Sequence, residues 1–158
     1  MDWEERVAEL WASIDAYDAE QFVAAMNALA SERPEDDPVA SFERASSLDS
    51  TGRSERAVPL YRQALELGLD GSRRRRAIIQ MSSSLRNLGR AAEAAELLGA
   101  ERTAQPDELS GAVDAFLALA LVDLGREREA ASIALEALAP LLPRYQRSVG
   151  NYARLLVN

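Results

Sequence analysis

The feature of the sequence with the most distinctive chemistry is a run of four arginines, Arg73–Arg76. If a helix begins at this run, four like charges lie side by side at the positive end of the helix dipole, so negative groups should lie nearby. Residues 1–50 contain 13 acidic residues and only three arginines, and they can supply that negative charge from within the chain. We therefore expect internal pairing or solvent to offset the run, with an acidic ligand as the alternative.

The residue types that catalysis and metal binding use most often are missing. The chain has neither histidine nor cysteine, which excludes imidazole bases, thiolate nucleophiles and the usual zinc ligands. It also lacks the glycine-rich phosphate loops and the nucleophile elbow of common enzymes. The acidic cluster Glu35–Asp37 has no calcium-loop spacing, so we expect a solvated linker there. The sequence predicts no enzyme activity, no catalytic residue, no cofactor and no metal site.

Composition and charge narrow the class of protein further. The 158 residues carry 26 acidic and 18 basic side chains, a net charge of −8, and 47% of them are hydrophobic. These values are typical of one globular domain, and they disfavour nucleic-acid binding, which needs a basic surface. The acidic N-terminus does not resemble a secretion signal, and the longest uncharged apolar stretch, Ala115–Val122, is too short to span a membrane. We expect a cytoplasmic protein that binds neither nucleic acid nor membranes.

Apolar residues recur at helical spacing along almost the whole chain, and no stretch alternates as a strand does. Glycines and prolines interrupt the pattern and divide it into about nine helices. Pro59 does not fit, because it lies about five residues inside a predicted helix and removes a backbone donor there; that helix should kink or begin late. The prediction is an all-α fold.

Three segments of the chain repeat one pattern, in which a leucine is followed by a turn glycine, an arginine and then an alanine. Their glycines, Gly52, Gly89 and Gly125, are 37 and 36 residues apart. This pattern resembles the tetratricopeptide repeat, a helical hairpin, as it occurs in small bacterial proteins of that family. The resemblance implies a right-handed α–α superhelix, a solenoid of about four helical hairpins with a C-terminal capping helix.

The repeat frame divides the chain into predicted segments. The repeats span residues 38–71, 75–108 and 111–144, and a degenerate hairpin precedes them at 3–34. A capping helix is predicted over 144–157, and the whole chain, 1–158, is predicted to form a single domain. A hairpin with an apolar face on each helix cannot bury both faces alone, so neighbouring hairpins must stack.

The resemblance also implies a concave groove lined by the first helix of each repeat. The groove positions carried over onto this sequence have a cationic, amide-bearing middle and an apolar third repeat, so an extended peptide can place a carboxylate on Arg86 and Asn87. The simpler interpretation is that Arg86 is an ordinary surface arginine and that the C-terminal helix covers Leu119 and Val122. The predicted partner-binding residues are Phe42, Ser46, Asp49, Arg76, Gln80, Ser83, Arg86, Asn87, Leu119 and Asp123.

The function that the resemblance implies is binding of another protein. We predict a non-enzymatic scaffold or adaptor that takes up a protein or peptide, with an acidic segment as the preferred ligand. The alternative is a structural protein that self-associates through its C-terminal helix, where Tyr145, Val149, Tyr152 and Leu156 form a stripe. The chain is therefore expected to be a monomer or a homodimer.

Overall fold

The computed structural model describes residues 1–158 and is all-α, with nine α-helices, two short 3₁₀ turns at Ile14–Ala16 and Ala139–Leu141, and no strand. This confirms the predicted fold class and the number of helices. The helices are α1 (Trp3–Ala12), α2 (Ala19–Ala30), α3 (Pro38–Ser50), α4 (Ser54–Glu66), α5 (Gly71–Asn87), α6 (Ala91–Arg102), α7 (Ser110–Asp123), α8 (Glu127–Leu138) and α9 (Gln146–Leu155).

The chain forms two compact units, Met1–Ser84 and Leu85–Asn158. Helix α5 begins in the first unit and ends in the second. The first unit also contains α1 to α4, and the second contains α6 to α9. That the whole chain behaves as one domain stays a prediction.

The first unit starts with the predicted N-terminal hairpin, α1 and α2. Both helices begin with a capping box, in which an aspartate accepts a hydrogen bond from a backbone N–H and the third helical residue returns one. The apolar faces of the two helices meet in a cluster. Its buried members are Val7, Leu10, Phe22 and Met26.

The second hairpin of the first unit, α3 and α4, is the most thoroughly buried. Helix α3 begins where the sequence predicts it, because the Asp37 side chain caps the Ala40 N–H at 2.8 Å and Pro38 takes the first turn. Ala45 and Ala57 have no exposed surface, which lets the helices approach closely. The rings of Phe42 and Tyr61 lie 6.2 Å apart between them.

The turn glycine of this hairpin ends α3 in a Schellman motif. Gly52 has a φ of 78°, and its N–H donates to the Asp49 carbonyl at 3.0 Å. The Arg53 N–H donates to the Leu48 carbonyl at 2.8 Å. The same two bonds recur after α5 and α7, where the equivalent glycines also have positive φ. The repeated sequence pattern therefore encodes one repeated turn.

Pro59 does not delay α4, so that part of the prediction is wrong. The helix begins at Ser54 and continues through Pro59 to Glu66. Pro59 and Glu55, whose carbonyl loses its helical partner, are both exposed. Water can replace the missing hydrogen bond on this side of the helix, which lowers the cost of the proline.

In the second unit, α7 packs against both α6 and α8, and α9 packs against α8 and the 3₁₀ turn that follows it. The buried residues along these contacts include Leu98, Val113, Leu121 and Ala130. Ala153 of α9 is also fully buried. Helix α9 is thus held on α8 by its inner face.

Replacing the turn glycine tests the Schellman motif directly. We expect Gly89→Ala to lower the free energy of unfolding by about 1 kcal/mol, because a Cβ at positive φ is strained. Gly99→Ala is the matched control: Gly99 lies inside α6, no heavy atom lies within 4 Å of the added Cβ, and alanine there should add up to about 1 kcal/mol. Urea unfolding followed by circular dichroism measures both; equal effects would contradict the assignment of the motif.

Candidate functional site

Two of the predicted partner-binding residues lie inside the first unit. Phe42 has no exposed surface and Ser46 almost none. Phe42 packs against Tyr61, and the Ser46 hydroxyl donates to Gln80 Oε1 at 3.3 Å. Because a partner cannot reach a buried side chain, these two residues shape the surface from beneath instead of contacting a ligand.

Asp49, also a predicted site residue, is the centre of a polar network. Its carboxylate accepts hydrogen bonds from the Ser84 hydroxyl at 2.5 Å and from the Tyr61 hydroxyl at 3.3 Å. The Tyr61 hydroxyl also lies 3.3 Å from Gln80 Oε1 and 3.5 Å from Ser46 Oγ. The network joins α3 and α4 to α5, so its first role is to hold α5 on the hairpin.

Burial controls the ionisation of this network. Burial raises the pKa of Asp49 above its ordinary value, although hydrogen bonds from Ser84 and Tyr61 act in the opposite direction. Burial and the neighbouring Asp49 carboxylate also raise the pKa of Tyr61. The Tyr61 hydroxyl therefore stays protonated, and ionised Asp49 carries a cost that its neutral form does not.

The arginine run finds part of its negative charge inside the first unit, as expected. Arg73 pairs with Glu4 of α1, and its Nε lies 3.3 Å from Glu43 Oε1. Glu43 is buried, and its other oxygen accepts a hydrogen bond from the Trp11 indole at 2.8 Å. Arg73 thereby satisfies a buried carboxylate, which would be costly without a cation.

Arg76 differs from Arg73, because it is exposed and forms no ion pair. Its guanidinium carbon lies 5.2 Å from the centre of the Phe42 ring. Such a cation–π contact fixes the guanidinium plane but uses none of its five N–H donors. Arg76 can therefore bind a carboxylate supplied by another molecule.

Further predicted residues continue along the same face of α5. Gln80, Ser83 and Asn87 follow Arg76 at spacings of one, two and three helical turns. Gln80 and Ser83 are half-buried, and Asn87 is exposed. We call the three of these residues that lie in the first unit, Arg76, Gln80 and Ser83, the α5 stripe.

In the second unit, the carboxylate that pairs with Arg86 belongs to the same chain. The Arg86 Nε donates to Asp123 at the end of α7, so two predicted site residues pair with each other. Both side chains are partly exposed, so the pair is in contact with solvent. A partner's carboxylate can reach Arg86 only by competing with Asp123.

Leu119 and Val122 of α7 are not covered by the C-terminal helix, which corrects the simpler interpretation of the sequence. Leu119 is 43% exposed and Val122 is 49% exposed. The reason is that α9 packs against α8 and not over α7. Large apolar side chains at this exposure leave an apolar surface open on the second unit.

Comparison with known protein families agrees with the repeat pattern. A family model described as tetratrico peptide repeat matches residues 38–156, which include α3 to α9. This chain belongs to the tetratricopeptide repeat family. No curated protein and no solved structure matched it.

Repeats of the tetratricopeptide family generally mediate protein–protein interaction. No helix of this tetratricopeptide repeat protein is both long enough and apolar enough to cross a membrane. The family model begins at Pro38, so the α1–α2 hairpin lies outside it. Glu4 and Trp11 of that hairpin nevertheless complete the polar contacts of Arg73 and Glu43.

Three residues important for the site were not predicted to be so. Ser84 and Tyr61 hold Asp49, and Trp11 holds Glu43. Ser84 lies one turn after Gln80, so the spacing alone could have placed it on the same face of α5. The partners of Tyr61 and Trp11 come from other helices, and no local signal identifies them.

The raised pKa of Asp49 leads to a pH-dependent prediction. Where the pKa is higher in the folded state, the protonated form favours folding, and stability is lost as pH rises from the ordinary value of 3.8 through the higher folded value. Asp49→Asn cannot ionise. We expect its free energy of unfolding, relative to that of wild type, to be larger at about pH 7 than at about pH 3, so that the substitution is more stabilising or less destabilising at neutral pH.

Urea unfolding of both proteins at the two pH values measures this difference. Asp36→Asn removes the same charge from an exposed position in the linker and serves as the control. If the difference between Asp49→Asn and wild type were the same at both pH values, burial of an ionised Asp49 would not limit stability.

Proposed function

We propose that this tetratricopeptide repeat protein is a non-enzymatic interaction module that binds an extended acidic segment of a partner protein along the α5 stripe. The observation that carries the proposal is Arg76, an exposed cation that has no acidic partner and is held over the Phe42 ring. In a chain with a net charge of −8, a cation without an acidic partner is a specific place for a partner's carboxylate.

The rest of the stripe supplies groups that suit a peptide backbone. Gln80 uses its amide oxygen on Ser46 and Tyr61, which leaves its amide nitrogen to donate to a peptide carbonyl. Ser83 is half-buried one turn further along α5, and its hydroxyl can donate or accept. Extended peptides bind through such regularly spaced polar groups, while individual side chains provide the selectivity.

Arg86 and Asp123 contribute in a second way. A solvent-exposed ion pair is worth only about 0–1 kcal/mol, so exchanging Asp123 for a partner's carboxylate costs little. Leu119 lies one turn before Asp123 on α7 and can receive an apolar side chain. An acidic residue flanked by an apolar residue is therefore the preferred ligand in the second unit.

Charge reversal at Arg76 tests the proposal. A peptide selected from a random display library on the wild-type protein provides the probe. We expect Arg76→Glu to weaken its binding by about tenfold or more, equivalent to about 1.4 kcal/mol, because the carboxylate contact becomes repulsive. Isothermal titration calorimetry measures the affinity.

Arg56→Glu is the matched control, since Arg56 is an exposed arginine on α4 and the change of charge is the same. The control should bind the peptide with nearly wild-type affinity, and thermal unfolding should show that both variants are folded. Equal affinity of Arg76→Glu and Arg56→Glu for every selected peptide would refute binding along the α5 stripe.

Self-association through the C-terminal helix is a second candidate function, and α9 provides a specific observation in its favour. Tyr145 and Tyr152 are 74% and 70% exposed. Val149 and Leu156 are half-buried on the inner face of the helix, so the predicted stripe is divided between two faces. Tyr145 immediately precedes α9 and Tyr152 lies on it. Exposed aromatic residues are typical of a protein interface.

A further inference from the structure

The α7–α8 hairpin carries an open apolar cleft of about 480 Å³. Helix α7 and helix α8 each provide one wall, and almost all of the lining is apolar. We define the α7–α8 cleft by Ala115, Leu119, Val122, Glu127, Ala131 and Ala134, all of which are exposed.

The repeat frame identifies the same surface on the α3–α4 hairpin. When Gly125 is aligned with Gly52, each residue of the cleft has a counterpart in the first repeat. In the order given for the cleft, the counterparts are Phe42, Ser46, Asp49, Ser54, Val58 and Tyr61.

On the α3–α4 hairpin this surface is covered by a helix. Arg76 of α5 lies over Phe42, Gln80 bonds with Ser46, and Ser84 bonds with Asp49. The contacts come from α5 residues spaced four apart, which is one face of a helix. The surface is therefore a docking site for a helix, and its counterpart on α7–α8 should be one too.

Within the chain, nothing occupies the counterpart. Helix α9 follows α8 as α5 follows α4, but it packs on α8, and the side chains that it withdraws from solvent are Val149, Ala153 and, just after the helix, Leu156. The Leu156 carbonyl accepts a hydrogen bond from Arg128 Nε at 2.9 Å, which holds the end of α9 there. Leu119 and Val122 consequently stay exposed.

The sizes and polarity of the side chains in the cleft indicate what kind of helix can bind there. Phe42 and Tyr61 fill the first repeat from the hairpin side, whereas alanines stand at both counterparts, Ala115 and Ala134. Close packing then requires that large side chains come from the docked helix. Leu119 and Val122 replace the polar Ser46 and Asp49, so the docked face must be apolar.

The outer face of α9 matches this description. Tyr152 and Leu155 are both exposed, and a spacing of three residues puts them on one side of the helix. We call these two residues the α9 outer face. They provide one large aromatic group and one aliphatic group, and exposed Tyr145 precedes the helix in a left-handed conformation.

Charge favours the same pairing. The chain has no acidic residue after Glu136, and the C-terminal segment carries Arg144, Arg147 and Arg154. Glu127 lines one end of the α7–α8 cleft. A basic helix and an acidic cleft margin attract each other and help to select the correct contact.

We infer that two copies of the chain associate, with the α9 outer face of each copy in the α7–α8 cleft of the other. This contact rests on the self-association described above and does not use the α5 stripe. Because each copy has one cleft and one outer face, a two-fold pair uses both surfaces and closes. The assembly is therefore a dimer.

Sedimentation and light scattering of the full chain test the dimer over a range of concentrations. Tyr152→Glu damages the outer face and Ala134→Arg damages the cleft; each should raise the dimer dissociation constant by about tenfold or more. Ala100→Arg, at an exposed position of α6, is the matched control and should leave it unchanged. Circular dichroism must show each variant to be helical.

Mixing the two damaged variants provides the decisive step. The pair joins an intact cleft from Tyr152→Glu with an intact outer face from Ala134→Arg, so mixed dimers should form where neither variant dimerises alone. A wild-type chain that stays monomeric, a dimer that both substitutions leave unchanged, or a mixture that stays monomeric would each overturn the inference. Monomeric Tyr152→Glu should still bind the peptide selected on the α5 stripe, which separates the two functions.

Discussion

A pair of antiparallel helices has more apolar surface than the two helices can bury against each other, and a third helix must cover the remainder. The α3–α4 hairpin shows how this is done, since Phe42 is fully buried and Arg76 of α5 lies over its ring. Burying apolar side chains is worth about 1.5–3 kcal/mol each for the larger ones, so the covering helix stabilises the hairpin substantially. The stacking of repeats in the tetratricopeptide family follows from the same constraint, because each repeat supplies the surface on which the next helix packs.

The same docking surface carries two different chemistries in this chain. On α3–α4 it combines aromatic rings with Asp49, and α5 contacts it through Arg76, Gln80 and Ser84. A polar network of this kind restricts which helix can dock, since an incorrect helix would leave the half-buried Asp49 carboxylate without the Ser84 donor. On α7–α8 the surface is apolar and small, so affinity there depends on shape and on large side chains from the docked helix.

The sequence predicts best what neighbouring residues decide. Asp37 before Pro38 marks a helix start, and Gly52 marks a helix end, because caps and turns depend on a few adjacent residues. The apolar spacing also predicts the all-α class and the α1–α2 core. The sequence does not predict how exposed a single site residue is. Phe42 is buried because α5 covers it, and Leu119 is exposed because α9 packs elsewhere. Both outcomes depend on how whole helices dock against one another. The spacing of apolar residues along a single helix carries no information about that docking.

A crosslink tests most directly whether the α7–α8 cleft is a docking site for a helix. The chain contains no cysteine, so single cysteines can be placed at will. Two single variants, Ala134→Cys and Tyr152→Cys, are mixed under mild oxidation and the products are separated without reductant. Docking of α9 in the cleft of a second copy predicts a covalent pair containing one copy of each variant, formed well in excess of that from Ala100→Cys with Tyr152→Cys. No excess over that control would contradict it.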